Sequence, residues 1–439
     1  MDSHRSFPAQ TAFLMILGLV LCLGSIVAQA ATLQVPAQYT TVRSALNAAS
    51  AGDTVLVAPG TYAPSTTGEI FPLSLSTGGV QLIGAGIGLS ILDAEGTNRV
   101  LQHQLDLSGI RVSGFTITGG VTTLNGGGLL IQYGTPEIDH NLFLANSAIQ
   151  QGSGIAIRNS AMPYIHHNVV WESFTVAMSA GDPHGVQYSQ TSGGLIEHNL
   201  IGRSDSNGLF LSGETYPEVR HNILFENGTP PDVRGRGVCA LASDIVHIYH
   251  NLFYGNVIAD LFIRVEGNLM NLTAQEANDI SPDDDVFGNL SGDPLLTDPE
   301  NLVFSLQVTS PAIDAGDPSL PGDPDGTILD IGPYFFDQTT SAVPGLDIGL
   351  RIMGNVPNPF NPATEIRYRL EHAGTVSVRV LDARGGLVQT LLVENHDIGD
   401  FSVRWNGTDN AGQTVASGLY LAVVQQGSQL VSAPMLLIR

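Results

Sequence analysis

The sequence predicts an all-β chain, a parallel solenoid of stacked coils followed by a small antiparallel sandwich. Three observations carry this. Five glycines, Gly128, Gly154, Gly185, Gly208 and Gly237, are each followed by an asparagine, Asn141, Asn168, Asn199, Asn222 and Asn251, at offsets of 13, 14, 14, 14 and 14. Around each asparagine the same positions recur: Ile or Val three before, His directly before (His140, His167, His198, His221, His250), and Asn or Ser five after. Successive asparagines lie 27, 31, 23 and 29 residues apart. Fixed internal spacing with a variable period means one unit repeated, with loops inserted at one place.

The pieces within each unit, such as "GLLIQY", "EIDHN" and "LFLAN", are short, β-rich and broken by Gly, Pro and Asn. One coil cannot bury its own apolar face, but coils stacked at about 4.8 Å can. An asparagine at the same point of every coil suits a tight turn, because Asn tolerates the left-handed conformation and its amide can bond the next one along the stack. This pattern resembles the right-handed parallel β-helix of pectate lyases and their relatives. The resemblance implies an internal ladder of Asn141, Asn168, Asn199, Asn222 and Asn251 with a structural role.

Composition narrows the function. The chain has 439 residues, 50 glycines, only 13% charged residues and a net charge of −24, and none of its 17 basic residues is lysine. Mechanisms that need a lysine base or Schiff base are excluded. Such a surface repels nucleic acid and anionic lipid, so no nucleic-acid partner is expected. It also repels polyuronic acids unless a divalent cation or an arginine cluster mediates. A monomer is expected. Residues 1–30 read as a secretory signal: His4 and Arg5, an apolar run from Ala12 to Val27, then Ala28-Gln29-Ala30 as a small-x-small cleavage site. Cleavage leaves Cys239 alone, so no intrachain disulfide is expected.

The solenoid is expected over 31–336. Val42–Ala49, with Thr41 as N-cap, reads as a short helix plugging its open end, which would otherwise expose apolar core and strand edges. Residues 79–120 hold less regular coils, 125–256 the regular ones, and 257–335 return to irregular coils that close the solenoid. Residues 337–346 read as a linker. From 347 to 439 the style is strand, glycine turn, strand, as in an antiparallel sandwich. The runs "NPFNPATEIRYRL", "VSVRVLDARGGLVQTL", "WNGTDNAGQTVASGLYL" and "MLLIR" resemble the C-terminal sorting domain of the type IX secretion system. That domain is itself similar to the Ig-like module of the flagellar hook-capping protein. The resemblance implies passage across the outer membrane and contact with the secretion machinery. The alternative is an accessory Ig-like domain in an ordinary exported protein.

In pectate-lyase relatives the substrate groove runs along the strand that the repeating glycine opens here, so the resemblance directs attention to residues just ahead of each glycine. Three before lie Asn125, Gln151, Asp182, Asp205 and Arg234; one before lie Gly127, Ser153, His184, Asn207 and Arg236. Stacking would set Asp182 beside Asp205 beside Arg234 as a catalytic group, with His184, Asn207 and Arg236 as substrate binders. Two carboxylates at that spacing can bind Ca²⁺ or share acid and base roles. Asp and Asn before Gly are also ordinary turn residues. The histidine column offers paired imidazoles to a soft metal, or only turn packing. Asp323, Asp325 and Asp330 in "DPDGTILD" have a calcium-loop flavour but lack an EF-hand's terminal glutamate.

The signature motifs of pectate lyases and polygalacturonases are absent. The reading is therefore a secreted or cell-surface β-helix protein that binds a polysaccharide or cell-surface glycan, without catalysis. The alternative is a polysaccharide lyase or glycoside hydrolase working in the groove, with Ca²⁺ as its cofactor.

Overall fold

The computed structural model describes residues 30–174, 184–229, 234–241, 247–280, 285–338, 350–358, 360–370, 372–382, 387–416, 418–426 and 429–437. The signal-like segment, most of the linker and Asp182 lie outside these residues.

Three parallel sheets form a solenoid. One coil shows the plan: Leu129–Gln132 belongs to wall one, Thr135–Asp139 to wall two and Leu142–Leu144 to wall three. Wall two stacks ten strands, from Thr32–Val35 to Val286–Phe287, and walls one and three stack nine each. Leu129, Ile131, Ile138 and Phe143 point inward and join equivalents from neighbouring coils in one continuous core. Each such buried side chain contributes about 2 kcal/mol. Val42–Ala48 is the plug helix, capped by the Thr41 side chain accepting from the Ser44 amide.

The bend from wall two to wall three turns on one left-handed residue, and that residue is the histidine. His140, His167, His198, His221 and His250 have φ of 52, 53, 50, 52 and 51°. The asparagine comes next and turns inward. Each side-chain oxygen accepts both the backbone and the side-chain N–H of the preceding coil's asparagine, from Asn141 to Asn168 at 3.1 Å and onward. The file runs one rung beyond the sequence pattern, from Asn251 to Asn289 at 3.1 Å. Asn289 escapes the pattern because Gly288, at φ 62°, replaces the histidine before it.

The bend after wall three repeats this device. Ala145, Glu172, Arg203 and Glu226 are left-handed at 47–52°, and Asn146, Ser173, Ser204 and Asn227 follow them inward. This second file faces the repeating glycines. A Cβ on Gly185 would stand 2.7 Å from Ser204 Oγ, and one on Gly208 2.7 Å from Asn227 Nδ2. The five glycines are therefore required for room, since none has positive φ.

Residues 257–335 depart from expectation. Ala259–Val265 pairs in antiparallel fashion with Asn268–Leu272, and a helix, Ala274–Ile280, sends Ala274 and Ala277 into the end of the core. After Ser291 the chain leaves the solenoid and runs back as a strap over the outside of wall three. There Leu296, Phe304, Leu306, Ala312 and Ile331 cover the outward Trp171, Leu200, Ile223 and Leu252. Wall three is apolar on both faces, which is why this strap must cover it.

The C-terminal unit has a three-stranded sheet (Leu350–Val356, Thr364–Leu370, Gly399–Trp405) and a four-stranded one (Gly374–Asp382, Leu387–His396, Gly418–Gln426, Gln429–Leu437). Thr364–Leu370 alternates buried and exposed without a break. The core holds Trp405, Tyr368, Val378 and Met435.

Candidate functional site

Wall one is not an open groove among the described residues. Its outward column, Leu130, Ala156, Gln187, Phe210 and Cys239, is buried throughout. The lead-in loops lie over it: a Cβ on Gly152 would stand 2.9 Å from that of Ala156, and His184 stacks on Phe210 at 4.1 Å.

His184, Asn207 and Arg236 share a column, as counted from the glycines. Asn207 Nδ2 lies 3.4 Å from His184 Nδ1, and Asn207 Oδ1 accepts the Arg236 amide at 3.1 Å. His184 and Asn207 are buried, however, so they tie coil to coil and present nothing to a ligand. Burial pushes the His184 imidazole down to about 3, keeping it neutral. Arg236 donates to Asn271 and lies over Phe262, 4.3 Å from the ring centre.

The described strand pairings do not extend to Asp205 and Arg234. Asp205 donates its amide to the Ser173 carbonyl and accepts from the Thr229 hydroxyl at 3.1 Å. Asp182, the third member of the group, lies outside the described residues.

The proposed calcium carboxylates work as turn caps. Asp323 accepts the Asp330 amide, Asp330 those of Asp314 and Phe336, and Asp325 those of Thr327 and Gln338. They do not converge as a trio within 4.8 Å. Burial and the neighbouring acids raise Asp323 to about 6.

The chemistry gathers on the outer face of wall two. Inward Ile138, Ile165, Ile196 and Val219 leave two outward columns. One runs Arg111, Glu137, Tyr164, Leu195, Glu218, His247, and the other Ser113, Asp139, His166, Glu197, Arg220, Tyr249. These are the positions four and two before each ladder asparagine. Period-two alternation about the isoleucine turns them outward, and that alternation is the sequence signal that finds them.

Two ion-pair clusters result. Arg111 grips Asp139 with two bonds of 2.7 and 2.6 Å and reaches Glu137 at 3.5 Å. Arg220 bonds Glu197 at 2.7 Å and Glu218 at 3.0 Å. Tyr164 donates to Glu197 at 2.5 Å, and Tyr249 donates to Glu218. Burial raises Asp139, but hydrogen bonds from Arg111, His140 and Ser113 outweigh it and hold the carboxyl well below its usual range. Glu197 is likewise buried yet lowered, through Tyr164 and Arg220. Burial and Glu218 push Tyr249 up to about 12.

The histidines form a pile along the neighbouring bend. Ring centres from His140 to His167, His198 and His221 are 5.0, 5.1 and 4.7 Å apart. The strap packs against this pile, with the Asp317 amide donating to His221 Nε2 at 3.0 Å. Burial and neighbouring imidazoles push His167 and His221 down to about 3.

Two groups among the described residues have ligand atoms within 4.8 Å: Glu137, Asp139, His166 and Glu197, His198, His221. A cation at the first would compete with Arg111 for Asp139. At the second, His221 Nε2 already accepts a hydrogen bond from the Asp317 amide, which puts the neutral ring's hydrogen on Nδ1.

Residues 102–278 match the family model of the right handed beta helix region, and residues 361–429 match the FlgD Ig-like domain. The chain is a right-handed parallel β-helix followed by a FlgD-type Ig-like domain. No curated protein matches. Among solved structures, dimeric latent PorU of Porphyromonas gingivalis is 21% identical with a TM-score of 0.18, over 20% of this chain and 9% of that one. PorZ, a surface component of the type-IX secretion system of the same organism, is 20% identical with a TM-score of 0.16, over 26% and 14%. An FMN-binding β-glucuronidase from Facaelibacterium prausnitzii is 10% identical with a TM-score of 0.16, over 57% and 35%. The chain thus spans well under two thirds of each.

Proposed function

We propose that this is a secreted or cell-surface β-helix protein that binds a polysaccharide along wall two without cleaving it. The observation that carries this is the pair of outward columns on that wall. The first sets a phenol ring, carboxylates and a guanidinium on the exposed side of the wall, and the second, with Asp139, His166 and Glu197 buried, holds them in place. Tyr164 is 37% exposed, and the side chains of Arg111, Glu137 and Glu218 are exposed to a similar degree. Aromatic faces take the C–H side of a sugar ring, while carboxylates and arginines take its hydroxyls. The period of the wall, about 4.8 Å per coil, offers a chain laid along the solenoid axis a repeated set of contacts.

The state of two carboxylates supports binding over glycosidase cleavage. A glycosidase pair needs one acid held protonated near neutral pH beside one that is ionised. Asp139 and Glu197 are both held on the ionised side, so neither can donate a proton.

The C-terminal unit supports export: its FlgD-type family, together with the signal-like residues 1–30, fits a protein sent across the outer membrane by a type IX route. Fusing residues 337–439 to an exported reporter in a host with that system tests this part, and periplasmic retention of the fusion removes it. The binding reading is tested by retention of the full chain on a polysaccharide panel, with product assays run alongside. Turnover of any member overturns the non-catalytic reading.

A further inference from the structure

Arg99 is the only arginine, among the described side chains, that holds nothing. Every other one donates to or pairs with a neighbour. Arg99 is 6% exposed, its Nε is sealed without a partner, and no carboxylate or carbonyl receives its guanidinium. Neither of the two cation–π contacts involves it. Burial alone acts on its ionisation, lowering it. A sealed charge without a counter-charge is costly and is rarely kept without a use.

Its place in the fold supplies the rest. The pairing of Leu101 with Leu73 and Leu129 puts Arg99 in register between Phe71 and Gly127, at the entry to wall one. Two residues ahead of Gly127 stands Asn125, 8% exposed, whose amide likewise bonds nothing. Two polar residues, each less than a tenth exposed and neither with a hydrogen-bonded side chain, thus lie on adjacent coils at one entrance. Nη1 and Nη2 lack partners yet are not fully sealed, so the residual opening lies at the fork.

We infer that Arg99, with Asn125, forms an oxyanion-binding site at the head of the solenoid. The planar fork presents paired N–H donors that match a carboxylate or a sulfate, and the Asn125 amide adds a donor. The same chemistry comes from two sources, a uronic acid carboxylate or a sulfate ester. In a chain of net charge −24, a buried cation is the means of admitting an anion to a surface that otherwise repels one. The site lies away from the wall-two columns, so it stands or falls independently of them.

The test is thermal unfolding of the full chain in sodium sulfate and in sodium galacturonate, against sodium chloride at constant ionic strength. Arg99→Met and Arg99→Lys are carried through the same series. Sulfate stabilises proteins generally by exclusion, so the readout is the wild-type shift in excess of that in Arg99→Met. The expected result is a saturable excess of about 3 °C with one of the two anions, which names the source. Arg99→Lys, which keeps the charge and loses the fork, should show a smaller excess. Arg99→Met should melt no lower than wild type in chloride, since it removes an uncompensated charge. Equal shifts in wild type and Arg99→Met overturn the site, as does an Arg99→Met that melts lower in chloride and still responds fully. Should Arg99→Met not fold, an undiminished response in Arg99→Lys counts against the fork.

Discussion

His167 shows how much one residue does here. It holds the left-handed corner at φ 53°, stacks between His140 and His198, and faces His166 and Glu197. Its folded value, about 3, is below the ordinary 6.5. The unfolded chain therefore takes up the proton first, and stability present above pH 6.5 is lost as pH falls toward 3. Asparagine also tolerates the corner but does not titrate. His167→Asn should consequently lose less melting temperature than wild type between pH 7 and pH 4; equal losses would show that this imidazole does not drive the acid response. The ladder makes a second residue-scale prediction. Asn199 donates to Ile165, Glu197 and Asn222 and accepts from Asn168, wholly buried. Asn199→Ala strands several of these partners and should cost about 1–3 kcal/mol or more in chemical denaturation. The sequence displayed both columns plainly, and the asparagine ladder stands as expected. Only the left-handed corner moved: the sequence reading puts it on asparagine, the usual left-handed residue, whereas the structure gives it to histidine.

At the scale of the element, the walls explain what could be read and what could not. Strand positions followed from alternation about the inward isoleucines, so wall two was legible to the residue. Its outward columns carry no recurring residue type that would single them out, and the recurring glycines mark a tight contact with the second inward file rather than a groove. Gly154→Ala tests that contact. Its Cβ would stand 2.5 Å from Val170 Cγ1 and 2.6 Å from the Gly185 carbonyl, and overpacking of this kind costs about 1–3 kcal/mol. A neutral effect on the denaturation midpoint would mean the coils have slack there. The strap was illegible for a different reason. Its apolar residues, Leu296, Phe304 and Ile331, carry no period, and only the apolar outer face of wall three shows what they cover. Phe304→Ala should open the strap over Trp171, 4.8 Å from that ring, and shift tryptophan emission to the red without unfolding the solenoid. An unchanged spectrum would place the cover elsewhere.

The whole molecule divides its labour between two cores, each with one buried tryptophan, Trp171 in the solenoid assembly and Trp405 in the Ig-like unit. The solenoid brings residues far apart in sequence onto one wall, so that Arg111, Glu197 and Tyr249 share a face. The account turns on that face, and the most direct measurement is affinity chromatography of the full chain on the polysaccharide that retains it. Wild type is compared with a Tyr164→Ala, Arg220→Ala double variant whose circular dichroism and melting match wild type. The account predicts that the variant elutes in the void while wild type is held and releases no product. Equal retention of the two proteins would contradict it.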